Sequence, residues 1–276
     1  MNKTLLLILI VALTNVFVSA QSIKVMTYNI RYDTPADGVN QWPKRANKVV
    51  ALIQKYDPDI LGIQEALQHQ VQDLVKNLPQ YQFVGVGRDD GKTKGEFSAI
   101  LYKSDRLTVL RQNTFWLSQT PDVPGSKDWD AAITRIASWA EFSDNKTKKT
   151  FMVINTHFDH KGKEARRQSA KILKAKATEL AGQLPLVVTG DFNFTRDDVA
   201  FETMMNPQGL RLFDAAPDNP PGTSCGFTVN GSSCNGIDYI FYSPHWASSG
   251  YAVISDNDGN YYPSDHLPVL TTLTPK

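Results

Sequence analysis

Residues 186–194 read Leu186-Val187-Val188-Thr189-Gly190-Asp191-Phe192-Asn193-Phe194. The apolar first half predicts a buried strand that ends near Gly190. Because residues two apart in an extended segment point the same way, we expect Asp191 and Asn193 to face one pocket. A carboxylate beside an amide can orient a water molecule or contact a hard cation or a phosphoryl oxygen. The same pair also occurs in ordinary turns, where both side chains bond the adjacent backbone.

Other polar residues fall at the boundaries of predicted strands. The groups that follow a strand are Asn29, Glu65, His157 and Asp191, and those that precede one are Asp238, Asp265 and His266. All seven can meet at one edge only if the second set of strands runs antiparallel to the first, which rules out a purely parallel sheet. We therefore predict a four-layer α/β sandwich, in which two mixed, mostly antiparallel sheets pack face to face with helices on the outer faces.

Hydrophobic periodicity assigns the elements of this sandwich. Strands are predicted at residues 23–28, 59–64, 81–86, 97–103, 107–117, 136–142, 150–156, 186–190, 237–242 and 267–273. Helices are predicted at residues 42–56, 68–78, 164–180 and 198–205. The segment 118–132 contains Pro and Gly and is long for a plain connection, which favours a functional loop or a lid.

The N-terminus has the pattern of a secretory signal peptide. Lys3 precedes an apolar run at residues 5–18, and the run ends at Val18-Ser19-Ala20, where a cleavage site is expected. The run is short for a membrane span, although an uncleaved anchor is the alternative. We therefore expect an exported protein, periplasmic or extracellular, in which residues 1–20 are removed and residues 21–276 form one domain. No second run of spanning length follows, so stable membrane insertion is not expected.

The composition is that of an ordinary globular protein, with 41% hydrophobic and 21% charged residues. The formal net charge of +1 argues against a protein that holds long nucleic acid mainly by neutralising phosphates, although it does not exclude a local basic patch. Cys225 and Cys234 are the only cysteines and lie in a loop rich in Gly and Ser. In an oxidising compartment we expect a local disulfide between them, with two free thiols as the alternative.

The polar residues at the strand boundaries are rich in oxygen donors. Carboxylates and amides with a few imidazoles suit Mg²⁺ or Mn²⁺ better than zinc. The two cysteines are too few and too far along the chain from these residues to build a sulfur site. The sequence also lacks a Gly-rich phosphate loop and a Gly-x-Ser-x-Gly elbow.

Six short motifs in order cover nearly all of residues 21–276. They are Met26-Thr27-Tyr28-Asn29, Ile63-Gln64-Glu65, Asn155-Thr156-His157, Gly190-Asp191-Phe192-Asn193, Ile237-Asp238-Tyr239-Ile240-Phe241 and Ser264-Asp265-His266-Leu267-Pro268-Val269. In these motifs the sequence resembles the endonuclease/exonuclease/phosphatase superfamily, which has the DNase I-like fold. Two further segments, Phe97-Ser98-Ala99-Ile100 and Phe115-Trp116-Leu117-Ser118, are most similar to exported bacterial members related to the deadenylase and nocturnin-like branch.

The resemblance implies a metal site that holds Mg²⁺, with Mn²⁺ as a substitute. Glu65 is then the main metal ligand, with Asn29 beside it. Asp265 is expected to reach a metal or a water at the leaving group. Taken alone, Glu65 could instead be a charge that favours a helix N-terminus.

The resemblance also assigns the groups that handle protons and phosphate. Asp191 would orient and deprotonate the attacking water, and Asn193 would help to hold the phosphate. His266 would stabilise the phosphoryl oxygens, held by Asp238 in a carboxylate–imidazole pair. His157 would donate a hydrogen bond to a phosphate oxygen, with a buried core histidine as the alternative. Water then attacks phosphorus in line without a covalent intermediate.

Three further residues are candidates for substrate contact. Many members of the superfamily carry Arg before the Ile-Asp-Tyr motif, where this chain has Gly236. Arg135 is a candidate replacement, a separate phosphate contact or an ordinary surface residue. Asp159 either extends the site or caps the following helix. Tyr262 could stack a base or pack at the rim.

The leading functional prediction is a metal-dependent hydrolase of phosphate esters. Nucleic acid or nucleotide substrates are favoured, single-stranded nucleic acid among them, and the alternatives are a sugar phosphate, an inositol phosphate and a phospholipid head group. A non-catalytic binding module on the same fold is an alternative of another class, which the complete set of metal- and proton-handling groups disfavours. No feature indicates a protein partner, and no amphipathic segment indicates docking to a membrane.

Overall fold

The structure is a computed structural model that describes residues 21–231 and 233–276. The predicted signal peptide at residues 1–20 lies outside the described residues. Within the described part of the chain, no helix is long and apolar enough to cross a membrane.

Every strand and helix predicted from the sequence is present. The strands are β1 (Ile23–Asn29), β2 (Ile60–Gln64), β3 (Tyr81–Val84), β4 (Ile100–Lys103), β5 (Leu107–Trp116), β6 (Ile136–Asp144), β7 (Thr150–His157), β8 (Leu186–Asp191), β9 (Phe213–Asp214), β10 (Asp238–Tyr242), β11 (Trp246–Val253) and β12 (Val269–Pro275). The helices are α1 (Trp42–Tyr56), α2 (Gln68–Asn77), α3 (Lys163–Ala181) and α4 (Val199–Met205), with a short 3-10 helix at Pro35–Asn40.

The strands form two six-stranded sheets. The first sheet has the order β11-β12-β1-β2-β4-β3, and the second has the order β5-β6-β7-β8-β10-β9. Two pairs, β1 with β2 and β7 with β8, are parallel. The other pairs are antiparallel. The predicted mixed, mostly antiparallel sheets are therefore confirmed.

Three apolar clusters show how the layers stack. The cluster between the two sheets contains Val25 of β1 and Val187 of β8. A second cluster packs α1 and α2 on the first sheet through residues such as Val49, and a third packs α3 and α4 on the second sheet through residues such as Leu173 and Ala200. Removal of these side chains from water is the main stabilising force. The arrangement confirms the predicted four-layer α/β sandwich.

Buried amides connect the two sheets beneath the edge where the polar strand ends lie. Gln64 Nε2 donates to Asn155 Oδ1 over 2.7 Å. Asn155 Nδ2 in turn donates to the carbonyl oxygens of Ile63 at 2.8 Å and Ala99 at 2.9 Å. A Cβ added at Gly62 would lie 2.5 Å from Asn155 Oδ1, so only glycine allows this close approach. These hydrogen bonds fix the end of β2 against the end of β7.

The structure also contains strands that the sequence pattern did not predict. β11 lies at an edge of the first sheet, and its residues 246–253 include Ala, Ser and Gly, which have weak strand propensity. β9 is only two residues long and lies at an edge of the second sheet. The predicted strand 267–273 begins at Val269, after Pro268, which has no N–H group for a strand ladder.

Candidate active site

Six strands bring polar residues to one edge of the sandwich. The edge is formed by the last residues of β1, β2, β7 and β8 and by the first residues of the antiparallel β10 and β12. The residues at these strand ends are Asn29, Glu65, His157, Asp191, Asp238, Asp265 and His266.

Three residues near these strand ends have a left-handed backbone conformation. The φ angles are 56° at Arg31, 64° at Glu65 and 50° at Asn193. Residues other than glycine rarely adopt such angles, and each position costs about 1–3 kcal/mol. All three residues line the same cavity, so the strained positions mark where the chain turns around it.

Asp191 lies at the centre of the site and is 1% exposed. Its Oδ2 accepts a hydrogen bond from Asn29 Nδ2 at 2.9 Å, and its Oδ1 accepts one from the backbone N–H of Asn193 at 3.0 Å. Burial, together with the negative charge of Asp238, raises the pKa of Asp191 to about 7. This carboxyl group therefore exchanges a proton near neutral pH, which suits a general base.

His266 lies between two carboxylates. Its Nδ1 is 2.9 Å from Asp238 Oδ2, and its Nε2 is 3.8 Å from Asp191 Oδ2. Burial acts to lower the pKa of His266, but the charges of Asp238 and Asp191 outweigh burial and raise it well above its ordinary value. His266 is therefore an imidazolium at neutral pH, the form that stabilises negative charge on phosphoryl oxygens.

A threonine that the sequence did not single out supports this pair. The hydroxyl group of Thr223 donates to Asp238 Oδ2 at 2.5 Å, on the oxygen that also contacts His266. The same hydroxyl accepts from the backbone N–H groups of Ile237 at 3.2 Å and Asp238 at 3.3 Å. Thr223 therefore holds the carboxylate that orients His266.

His157 and Asn193 contact each other beside Asp191. His157 Nε2 lies 2.9 Å from Asn193 Nδ2 and 3.4 Å from Asp191 Oδ2. Burial and the positive charge of Arg135 hold the pKa of His157 well below its ordinary value, so its imidazole is neutral. Asn193 Nδ2 also donates to the carbonyl of Phe158 at 3.0 Å, which fixes the orientation of the amide. Because an amide nitrogen can only donate, His157 Nε2 is the acceptor in its contact with Asn193. His157 is predicted to donate to a phosphate oxygen, and a donation from its Nε2 would require release of this hydrogen bond.

Asn29 orients the carboxylates of the site. Its Nδ2 donates to Glu65 Oε1 at 3.0 Å as well as to Asp191, and its Oδ1 accepts from the backbone N–H of Arg31 at 2.9 Å. The predicted ligation of a metal by Asn29 would need this oxygen. The Arg31 side chain lies 3.8 Å from both Glu65 Oε2 and Asp265 Oδ2. Arg31 thus neutralises part of the charge that the carboxylates bring together.

A cavity of about 540 Å³ opens at this edge. Most of the predicted residues line it, including Glu65, Asp191 and His266. The lining also includes residues that no sequence pattern indicated, namely Arg31, Tyr32, Arg88, Glu96 and Ser224. These residues lie in loops, where neither periodicity nor a motif signals a shared position.

The three predicted substrate contacts have different positions. Arg135 lines the cavity and is 5% exposed. Asp159 and Tyr262 are not among the lining residues. The Asp159 carboxylate accepts hydrogen bonds from the backbone N–H groups of residues 132, 133, 161 and 162, so it ties the long loop to the start of α3.

Arg135 does not take the place of the Arg that many family members carry before the Ile-Asp-Tyr motif. Arg135 precedes β6, whereas Gly236, at the position of that Arg, precedes β10. The strands β7 and β8 lie between β6 and β10, so the two positions are far apart in the sheet.

Glu65 and Asp191 provide oxygen donors that fit a divalent cation. Among the described residues, two groups have ligand atoms within 4.8 Å of one another: Glu65–His157–Asp191 and Asp191–Asp238–His266. The first group fits better, because His157 is neutral whereas His266 is protonated and cannot ligate. Carboxylate oxygens suit Mg²⁺, and an imidazole nitrogen beside them admits Mn²⁺.

Comparison with known proteins assigns the family. The model of the endonuclease/exonuclease/phosphatase family matches residues 26–266. An endonuclease/exonuclease/phosphatase from Bacteroides vulgatus is 41% identical, with a TM-score of 0.85 over 93% of this chain and 100% of that chain. The chain therefore belongs to the endonuclease/exonuclease/phosphatase family, as the six motifs indicated, and it is a hydrolase of phosphate esters.

Two further solved structures bear on the fold and the activity. A mannosyl-6-phosphatase from Bacteroides thetaiotaomicron VPI-5482 is 38% identical, with a TM-score of 0.86 over 92% of this chain and 100% of that chain. The catalytic domain of human Nocturnin with bound sulfate is 21% identical, with a TM-score of 0.75 over 94% of this chain and 95% of that chain. The similarity to Nocturnin shows a shared fold.

Proposed function

We propose that the chain is an exported phosphomonoesterase that uses a divalent cation, Mg²⁺ in the first place, to remove the phosphate group from a small phosphorylated sugar. The observation that carries this proposal is the meeting of Glu65, Asp191 and His266 in one cavity. Together these residues supply a metal ligand, a base that titrates near neutral pH and a fixed positive charge.

The size and lining of the cavity support a small substrate. A volume of about 540 Å³ falls in the range typical of sites for small molecules. The similar protein from Bacteroides thetaiotaomicron is a mannosyl-6-phosphatase, and a sugar phosphate was one of the alternatives that the sequence left open. The net charge of +1 gives no general attraction for a long polyanion.

A nucleotide, which the sequence favoured, fits the cavity less well. Recognition of a base commonly uses an aromatic ring on which the base stacks. Tyr32 lines the cavity, but the guanidinium of Arg31 lies 4.5 Å from the centre of its ring. Trp116 is only 4% exposed, and its Nε1 donates to the carbonyl of Arg88. Arg31 therefore covers one face of the Tyr32 ring, and the Trp116 ring is buried.

The reaction converts a phosphomonoester and water into an alcohol and inorganic phosphate. Asp191 accepts a proton from the attacking water as the new bond to phosphorus forms. His266, held by Asp238, stabilises the oxygens of the phosphoryl group while the bond to the leaving oxygen breaks. The leaving oxygen takes a proton from a water molecule near Asp265, and the hydroxide so formed is neutralised by the proton that Asp191 releases, which returns Asp191 to its basic form. A divalent cation held by Glu65, with oxygens of Asp191 within reach, would neutralise the charge that develops on these oxygens.

Export rests on the first twenty residues of the sequence. The disulfide between Cys225 and Cys234, with an S–S distance of 2.01 Å, supports it, because such bonds persist in oxidising compartments. This bond also confirms the predicted pairing of the two cysteines.

A substrate panel with and without metal tests the proposed function. We expect phosphate release from hexose 6-phosphates to exceed release from inositol phosphates, nucleoside monophosphates and phospholipid head groups by at least about tenfold in kcat/KM. EDTA should abolish the activity, and Mg²⁺ or Mn²⁺ should restore it. Faster cleavage of dinucleotides, single-stranded RNA or single-stranded DNA, or release that is insensitive to EDTA, would refute the proposal.

A further inference from the structure

Several polar residues line the cavity without a part in the proposed reaction, and four of them form two contacting pairs. These four are Arg88, Glu96, Arg135 and His160, which we call the polar wall. Arg88 and Glu96 lie in the loop between β3 and β4, Arg135 directly precedes β6, and His160 closely follows β7. The four residues come from three loops that meet only in the folded chain.

The order of the strands separates the polar wall from the centre of the site. β6 runs antiparallel to β7, so Arg135 at the start of β6 lies at the edge where β7 ends. β7 then lies between β6 and β8, which carries Asp191. Neighbouring strands are about 4.8 Å apart, so the backbone positions of Arg135 and Asp191 are about 10 Å apart. A phosphoryl group bound at Asp191 spans only part of this distance, so the cavity leaves room beside the polar wall for the alcohol portion of a substrate.

Each guanidinium of the polar wall has a carboxylate near it. Arg88 Nη1 donates to Glu96 Oε2 at 2.5 Å, and Arg135 Nε lies 3.7 Å from Asp159 Oδ2. The wall therefore carries charges of both signs and no large excess of positive charge. The nearby carboxylates offset the positive charge of the two guanidinium groups, which reduces their attraction for a second phosphate or a carboxylate. Charged groups of both signs suit hydroxyl groups, since each hydroxyl donates one hydrogen bond and accepts others.

The polar wall also has hydrogen-bonding capacity that the described residues do not use. Arg135 is 95% buried, yet its Nε and Nη1 have no hydrogen-bond partner within residues 21–231 and 233–276. Its Nη2 donates to His160 Nδ1 at 3.0 Å, so the hydrogen of the neutral His160 ring is on Nε2. Arg88 Nε is also buried without a hydrogen-bond partner among these residues. Buried donors are almost always paired, so these groups point to a polar ligand.

We propose that the polar wall is the subsite for the alcohol portion of the substrate and that it recognises adjacent hydroxyl groups of a sugar. The planar guanidinium of Arg135 can span two neighbouring hydroxyl oxygens, and Glu96 can accept from a hydroxyl group. The inference rests on the proposed function and deepens it, because it names the residues that select the sugar. An ester of an apolar alcohol leaves these polar groups unpaired and is disfavoured.

Two substrates that share the phosphate but differ in hydroxyl groups test this subsite. We would compare kcat/KM for a hexose 6-phosphate with kcat/KM for p-nitrophenyl phosphate, in the wild type and in the variants Glu96→Gln and His160→Ala. His160 is exposed, so its replacement creates no buried cavity. We expect the ratio of the two kcat/KM values to fall by about tenfold in each variant. An unchanged ratio in both variants would overturn the inference.

A matched control separates the subsite from a general effect of a broken ion pair. Glu141 pairs with Arg111 at 2.6 Å on β6 and β5, and neither residue lines the cavity. The variant Glu141→Gln removes the same type of charge, and the ratio of kcat/KM values should stay at the wild-type level. If Glu141→Gln lowers the ratio of kcat/KM values as much as Glu96→Gln does, the ratio reports the stability of the protein. Such a result would overturn the assignment of the polar wall as a subsite.

A measurement of binding tests the proposed subsite independently of catalytic turnover. Calorimetry in the Asp191→Asn background would compare a hexose 6-phosphate with inorganic phosphate in the presence of Mg²⁺. We expect the sugar phosphate to bind at least about tenfold more tightly and to lose most of this advantage when Glu96→Gln is added. Equal affinities would refute the subsite. Failure of the wild type to hydrolyse any phosphomonoester would refute the proposed function instead.

Discussion

Asp191 and Asp238 are direct cross-strand partners in the antiparallel register of β8 and β10. Side chains of such partners lie on one face, about 5 Å apart, so the fold itself brings two carboxylates together. His266 lies between them, with Nδ1 on Asp238 and Nε2 towards Asp191. The two carboxylates raise the pKa of the imidazole, and burial together with the charge of Asp238 raises the pKa of Asp191. A base that titrates near neutral pH and an imidazolium beside it therefore depend on one strand pairing.

Replacement of either member of this pair should remove turnover. Asp191→Asn keeps the size of the side chain but removes the base, and we expect a loss of about two to four orders of magnitude in the single-turnover rate. His266→Ala removes the positive charge, and we expect a loss of about two to three orders of magnitude. Since both groups act in one transition state, the losses should not add in the double variant.

Circular dichroism of these three variants provides the fold control. A folded single variant that keeps more than about a tenth of the wild-type rate would show that its residue has a different role.

Glu65→Gln should weaken metal binding more than it weakens folding. Glu65 lies beside Asn29 and Asp191 and faces the cavity, where a cation would meet two carboxylates. We expect the Mg²⁺ concentration that gives half-maximal activity to rise by at least about tenfold. Loss of a residue that only supports a metal ligand already weakens metal binding by about 10–100-fold, so loss of a ligand should have at least this effect. An Mg²⁺ titration beside a thermal melt measures both quantities, with Glu141→Gln as the control. If the folded variant needs the same Mg²⁺ concentration as the wild type, Glu65 is not a metal ligand.

Mg²⁺ should stabilise the protein more at alkaline pH than at acidic pH. The folded-state pKa of Asp191 is raised from 3.8 to about 7, so this group makes the metal-free fold less stable as pH rises between these values. The raised pKa of His266 acts in the same direction, since its contribution is present below its unfolded pKa and is lost as pH rises through the folded value.

A cation relieves the repulsion between ionised carboxylates, and its ligands must be deprotonated to bind it. The rise in Tm on addition of Mg²⁺ should therefore be larger at about pH 8 than at about pH 5. Differential scanning calorimetry at the two pH values measures it. Equal rises at both would contradict the raised pKa of Asp191.

Thr223→Val should lower turnover although Thr223 contacts no substrate in the proposed reaction. Its hydroxyl donates to the Asp238 oxygen that holds His266, and the side chain is 1% exposed. We expect kcat to fall by about 10–100-fold with little change in KM, because the loss affects the position of His266. Thr223→Ser keeps the hydroxyl and should restore most of the activity. If both variants lose activity equally, packing at this position matters and the hydroxyl does not.

The fold could be predicted because polar residues mark both the ends and the starts of strands. Asp191 at a strand end and Asp238 at a strand start can meet only in an antiparallel pair, and this condition alone excludes a parallel sheet. Their exact pairing could not be predicted, since alternation of apolar residues fixes the buried face of a strand but not its partner residue. β11 was missed because its small residues and edge position produce no apolar pattern.

Arg88, Glu96 and Thr223 could not be predicted from local patterns. Arg88 and Glu96 lie in a loop rich in Gly and charged residues, which indicates only an exposed connection. They reach the cavity because β4 pairs with β2, and Arg135 reaches it because β6 pairs with β7. Thr223 lies near Asp238 because its loop pairs with the segment before β10. Such contacts between distant parts of the chain are a property of the complete fold.

Hydrolysis of a hexose 6-phosphate in ¹⁸O-labelled water is the most direct test of metal-assisted attack by water in this cavity. Mass spectrometry of both products locates the new oxygen. We expect one labelled oxygen in the released phosphate, none in the sugar, and no phosphate release when EDTA removes the metal. Label in the sugar, unlabelled phosphate, or release that persists with EDTA would contradict direct attack of water on phosphorus at a metal held by Glu65.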